Sequence, residues 1–151
     1  MKSLFLAAAG AVTTMASEII SFTDPTPETR IPTIEIAEGV HMPMLNLGTW
    51  LYDDATAYDA VTEAFKLGYP GVDTAWDYTN GKGIGEALKQ SGRERHEYWI
   101  TTKIEGGLSY NETVAEFDSQ LKDLGVEYVD LLLMHFPTHS NGTAFSPEGR
   151  A

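Results

Sequence analysis

Four times between Leu45 and His135 a short apolar run gives way to a helical pattern, and the units recur about every 30 residues. The first run spans about Leu45 to Trp50. Its helix runs from Asp54 to Leu67, with Ala57, Val61, Ala64 and Leu67 on one face and Gly68 as the stop. The second run ends at Asp73 and leads to a short helix near Ile84–Leu88 that stops at Gly92. The third, Tyr98 to Lys103, passes through Gly106-Gly107 into the clearest helix of the chain. There Ser109 and Glu112 form a capping-box pattern, Val114, Phe117, Leu121 and Leu124 mark the buried face, and Gly125 closes it. The fourth run, Val129 to His135, is almost wholly apolar, which predicts a parallel strand covered on both faces. Ahead of these units, Thr33–Ile36, a Glu38-Gly39 turn and Val40–Leu45 predict a short β-hairpin.

Strand–helix units in succession spell an α/β fold with right-handed crossovers. Two architectures accept them: a doubly wound open sheet and a (β/α)₈ TIM barrel. A dinucleotide-binding open sheet should carry Gly-x-Gly-x-x-Gly after its first strand, where this chain has Leu47-Gly48-Thr49-Trp50. Gly81-Lys82-Gly83-Ile84-Gly85 follows the second strand with the wrong spacing and reads as a flexible loop into a helix. In a barrel, the C-terminal ends of the strands converge on one catalytic face. Asp73, Lys103 and His135 end consecutive strands, and Tyr78 follows Asp73 by five residues. The pattern favours the barrel.

Those four residue types make a plausible proton-transfer site if the three strands lie side by side. An isolated tyrosine, at a pKa of ~10, is a poor proton donor near neutrality. An ammonium beside the phenol favours the phenolate and makes the tyrosine a better acid. Each residue also has a plainer role. Asp73 can cap a helix, Tyr78 can be a core aromatic, Lys103 a surface lysine, and His135 a hydrogen-bonded structural histidine. Trp76, Asp77 and His139 read as loop residues, and His41 and His96 as structural or solvated.

A formal charge of −12 disfavours nucleic acid and anionic membrane surfaces as partners. The absence of cysteine removes disulfides, thiolate nucleophiles and zinc–thiolate sites, and no paired histidine motif supplies another metal site. At the N-terminus, Lys2, an apolar stretch from Leu4 to Val12 and Thr14-Met15-Ala16 predict a signal peptide over 1–16 cleaved before Ser17. This implies a secretory or extracellular location. An unprocessed leader, with a cytoplasmic protein, and an organelle-targeting sequence are the alternatives. Residues 17–30 read as a linker, and residues 137–151 as loop. The sequons Asn111-Glu112-Thr113 and Asn141-Gly142-Thr143 agree with a secretory route.

Several motifs together carry a resemblance. Met44-x-x-Leu47-Gly48-Thr49-Trp50, Gly68-Tyr69, Asp73-Thr74-Ala75-x-x-Tyr78-x-Asn80, Thr102-Lys103 and Leu121-x-x-Leu124-Gly125-x-x-Tyr128-Val129-Asp130-Leu131-x-Leu133-x-His135-Phe136-Pro137 resemble the aldo-keto reductases over about residues 31 to 137. Pro70 stands where that family usually has arginine, and Gly81 where a glutamate usually follows the asparagine. The resemblance implies an NADP-dependent carbonyl reductase with Asp73, Tyr78, Lys103 and His135 as its tetrad, NADH not being excluded. It implies that Tyr78 gives the proton, Asp73 holds Lys103 charged, and His135 orients the carbonyl of a small substrate. Gly48, Thr49 and Trp50 would line the mouth beside the cofactor with Asp73, Trp50 also serving as an apolar wall for substrate.

A barrel of this kind takes about 250 residues, and this sequence holds four of its eight units. It therefore reads as the first half of a TIM barrel, not closed, over residues 31–151. In the family the nicotinamide carboxamide, the pyrophosphate and the 2′-phosphate are held mainly by loops of the second half. Open sheet edges also predict self-association. A fragment of a longer reductase, a half that pairs with another half, and a non-catalytic remnant or interaction protein are the three readings.

Overall fold

The computed structural model describes residues 31–136. The expected leader, linker and C-terminal loop, with His139 and the Asn141 sequon, lie outside the described residues.

The chain opens with an antiparallel hairpin, β1 (Thr33–Ala37) and β2 (Val40–Pro43). Gly39 takes a φ of +72° at its turn, and its N–H donates to Glu35 Oε1 at 2.9 Å. A parallel sheet follows in the order β3 (Leu47–Gly48), β4 (Gly71–Asp73), β5 (Trp99–Ile104), β6 (Leu131–Met134). Between the strands run α1 (Asp54–Lys66), α2 (Gly81–Gln90) and α3 (Tyr110–Leu124). Sequential strand order with a helix in each crossover is the construction of a TIM barrel, and four strands make part of one. The register aligns Gly48 with Asp73, Asp73 with Thr101, and Lys103 with Leu133, so the polar residues leave the sheet at one end.

Helix α1 starts where Asp53 accepts from the Thr56 N–H at 2.8 Å, satisfying one of the free first-turn donors. Ala57, Val61, Ala64 and Phe65 form its buried face. Leu67, expected on that face, is exposed, because the helix ends at Lys66 and Leu67 turns out of the stripe. Phe65 takes its place, with the Arg93 guanidinium 4.2 Å over the ring and donating to the Phe65 carbonyl at 2.8 Å.

The Gly81–Gly85 segment is helix rather than the expected flexible loop. Its glycines are there for contact. A Cβ on Gly83 would stand 1.9 Å from the Asp54 carbonyl oxygen, and one on Gly85 2.5 Å from that of Asp123. The two glycines let α2 approach the ends of α1 and α3. The Gly83 N–H donates to Asp54 Oδ1 at 2.7 Å, using the same closeness.

Helix α3 keeps its capping box, with the Ser109 N–H donating to Glu112 Oε2 at 2.8 Å. Its buried face is different from expectation. Glu116, Gln120 and Leu124 face inward, while Val114 is exposed and Phe117 and Leu121 are half-buried. The inward polar groups find partners on β5: Glu116 accepts from the Glu105 N–H at 2.8 Å, and Thr102 and Gln120 are joined by a hydrogen bond. Strand β6 is likewise not covered on both faces. Leu132, Leu133 and Met134 are exposed, since β6 is the edge of the described sheet and, among the described residues, no further strand pairs with it.

Candidate active site

The polar ends of β4 and β5 meet directly. Lys103 Nζ lies 2.5 Å from Asp73 Oδ1 and donates to the Thr74 carbonyl at 2.8 Å. Lys103 is mostly buried and Asp73 is partly open. Two of the three ammonium protons are thus committed, which leaves one for a further acceptor. The same ammonium sits 5.2 Å from the ring centroid of Tyr78. His135, just past β6, stands edge-on to that ring at 5.6 Å, and its backbone N–H donates to the Ile104 carbonyl at 2.8 Å. Asp73, Tyr78, Lys103 and His135 are therefore one cluster.

Tyr78 is delivered by a single turn of 3₁₀ helix, Trp76–Tyr78, ended by Thr79 in the left-handed region at φ +55°. A β-branched residue there carries strain and persists only where its surroundings impose it. The cause is Asn80. Fully buried, its amide donates to the carbonyls of Thr49 at 2.8 Å and Tyr52 at 3.0 Å, while its oxygen accepts from the Thr74 hydroxyl at 3.4 Å. These bonds tie the loop after β3 to the loop after β4 and fix where Tyr78 emerges.

The mouth residues separate into two kinds. Gly48 and Trp50 are exposed, whereas Thr49 is fully buried with its hydroxyl donating to the Asp73 carbonyl at 3.3 Å. Thr49 anchors the loop instead of lining a surface. A small cavity of about 90 Å³ does lie against the cluster, walled by Trp76, Asp77, Lys103, Glu105, His135 and Phe136. Its aromatic walls are Trp76 and Phe136, and Trp50 is not among its lining residues. Trp76 and Asp77, expected to be plain loop residues, thus belong to the site. Asp77 Oδ1 is 3.1 Å from His135 Nδ1. The clue available in the sequence was position alone, since both directly precede Tyr78.

Residues 44–143 match the sequence profile of the aldo/keto reductase family. This chain belongs to that family. Among curated aldo/keto reductase relatives, it is 40% identical over 106 residues to the 9,11-endoperoxide prostaglandin H2 reductase of Trypanosoma cruzi, covering 69% of this chain and 38% of the relative. It is 41% identical over 104 residues to the glycerol 2-dehydrogenase (NADP(+)) of Saccharomyces cerevisiae, covering 69% and 33% respectively. A crystal structure of an aldo/keto reductase from Brucella melitensis superposes with a TM-score of 0.68 at 41% identity, over 74% of this chain and 44% of that one. The chain spans between a third and two fifths of the length of these curated relatives.

Proposed function

We propose that this chain is an oxidoreductase that reduces aldehydes or ketones with NADPH, Tyr78 giving the proton. The observation that carries the reading is the Lys103 ammonium, held by Asp73 and the Thr74 carbonyl and packed over the Tyr78 ring. That positive charge would offset the negative charge left on Tyr78 once it has protonated the nascent alkoxide. Asp73 keeps Lys103 directed. His135 orients the substrate oxygen by a hydrogen bond, and Trp76 and Phe136 supply apolar walls.

The β3 end of the site fits the nicotinamide portion of such a cofactor. An added Cβ on Gly48 would meet nothing within 4 Å, Trp50 offers an exposed ring, and Asp73 is partly open. Gly48, Trp50 and Asp73 would hold that portion, and the chemistry supplied by the bound cofactor is a hydride. The relative named for NADP(+) supports NADPH as the partner. Quenching of NADPH fluorescence by micromolar folded protein is the expected result, and its absence contradicts the reading.

A second reading, an interaction protein without turnover, is favoured by the exposure of Leu132, Leu133 and Met134 on β6. An apolar sheet edge of this kind pairs readily with another strand. Sedimentation decides it: concentration-dependent self-association without NADPH binding supports this reading, and a monomer that binds NADPH contradicts it.

A further inference from the structure

The cavity beside Tyr78 carries charges that proton transfer does not use. Two of its six lining residues, Asp77 and Glu105, are acids. Asp77 comes from the 3₁₀ turn that delivers Tyr78, and Glu105 directly follows β5, so the acidity does not come from one local run. Lys103 is the one lysine or arginine among the lining residues, and Asp73 already answers its charge at 2.5 Å. His135 Nδ1 lies 3.1 Å from Asp77 Oδ1, and that ring is a cation only when protonated. With the imidazole neutral, no cation among the described lining residues matches Asp77, whose side chain is half-exposed. The carboxyl of Glu116 is pushed up by burial, held back by the Glu105 N–H, and pushed further by the charges of Glu105 and Asp77. Both acids therefore act in one direction on a neighbouring group.

We propose that Asp77 and Glu105 select the substrate by charge. The site takes neutral carbonyl compounds and those bearing an ammonium, and turns away those bearing a carboxylate or phosphate near the carbonyl. Like charges a few ångströms apart repel, the more so as water is excluded. Trp76 and Phe136 offer an apolar wall to all three classes, which leaves the choice to the two acids. That these ligands are substrates rests on the reductase reading. The charge of the cavity does not.

Steady-state kinetics of the full chain with NADPH compare benzaldehyde, 4-carboxybenzaldehyde and 4-(trimethylammonio)benzaldehyde at a pH where His135 is neutral. In kcat/KM the carboxylate is expected to be the poorest substrate. Asp77→Asn and Glu105→Gln are each expected to narrow its disadvantage by about three- to tenfold, the size for a partly exposed charge a few ångströms away. Ratios between substrates cancel any general loss of activity in a variant. A wild type that favours the carboxylate, or a ratio unmoved in both folded variants, overturns the proposal. Should the variants not fold, added salt still decides: the wild-type disadvantage is expected to shrink, and one independent of salt overturns the proposal. Binding of benzylammonium, benzyl alcohol and benzoate is read in parallel from the Trp76 indole N–H signal, assigned by its loss in Trp76→Phe. If no aldehyde is turned over, the reductase reading fails, and benzoate binding weakest still supports the charge selection. Benzoate binding as well as the other two, or no binding at all, overturns it.

Discussion

Lys103 and Asp73, 30 positions apart in sequence, are joined by a 2.5 Å ion pair where two neighbouring parallel strands end. The pair places a directed ammonium against Tyr78, and the proposed reduction depends on that charge. Lys103→Met keeps much of the side-chain bulk and removes the charge. Steady-state kinetics on an aldehyde are expected to show kcat reduced by roughly 10²–10⁴-fold, the usual worth of positioned proton transfer. Near-wild-type turnover in that variant contradicts a role for Lys103.

Asn80 couples the loops after β3 and β4, so its effect should be on stability first. Asn80→Leu leaves the Tyr52 carbonyl without its partner and the Thr49 carbonyl with the Tyr52 N–H alone. An unpaired buried acceptor costs ~1–3 kcal/mol, and with the second lost bond a total on the order of 2–4 kcal/mol is expected in denaturant unfolding. A loss within ~0.5 kcal/mol would show that the loops are held by something else.

Gly83 offers a test by sign. Helix propensity alone says that alanine in place of a helical glycine stabilises by about 1 kcal/mol. The 1.9 Å approach to the Asp54 carbonyl says the reverse, because backbone must move to admit a methyl. Gly83→Ala is expected to lower the melting temperature. A higher one would mean that the α1–α2 contact is loose.

Glu116 sets a pH dependence. Burial pushes its carboxyl above its ordinary value of 4.5, opposed by the Glu105 N–H and reinforced by the charges of Glu105 and Asp77. The folded state therefore holds that proton more tightly than the unfolded chain. The associated stability is present below the ordinary carboxylate value and is lost as pH rises through the raised one. Relative to Glu116→Gln, the wild type should lose stability with rising pH across this range. A relative gain contradicts the assignment.

The fold was legible because its signals are local. The Ser109–Glu112 box and the stripe of Ala57, Val61 and Ala64 depend on residues near in sequence, and the strand ends at Asp73 and beside Lys103 follow from apolar runs. The misread parts depend on neighbours distant in sequence. Gly83 looks like loop until Asp54 is seen beside it, and α3 turns Glu116 and Gln120 inward because Thr102 and the Glu105 N–H await them. Strand β6 is apolar enough for a covered strand and yet forms an edge of the described sheet. In the site, the four clustered residues stood out as unlike polar groups at strand ends. Asp77 gave no such signal, since its partner His135 lies 58 positions away and a carboxylate in a turn is unremarkable until its contact is known.

Tyr78 as the acid is the claim on which the rest depends, and Tyr78→Phe tests it most directly. The measurement is NADPH consumption with benzaldehyde by wild type and variant, alongside NADPH binding by fluorescence. Turnover by the wild type, turnover reduced to background in the variant, and nearly unchanged cofactor affinity are the expected results. Comparable turnover by the two proteins would contradict it.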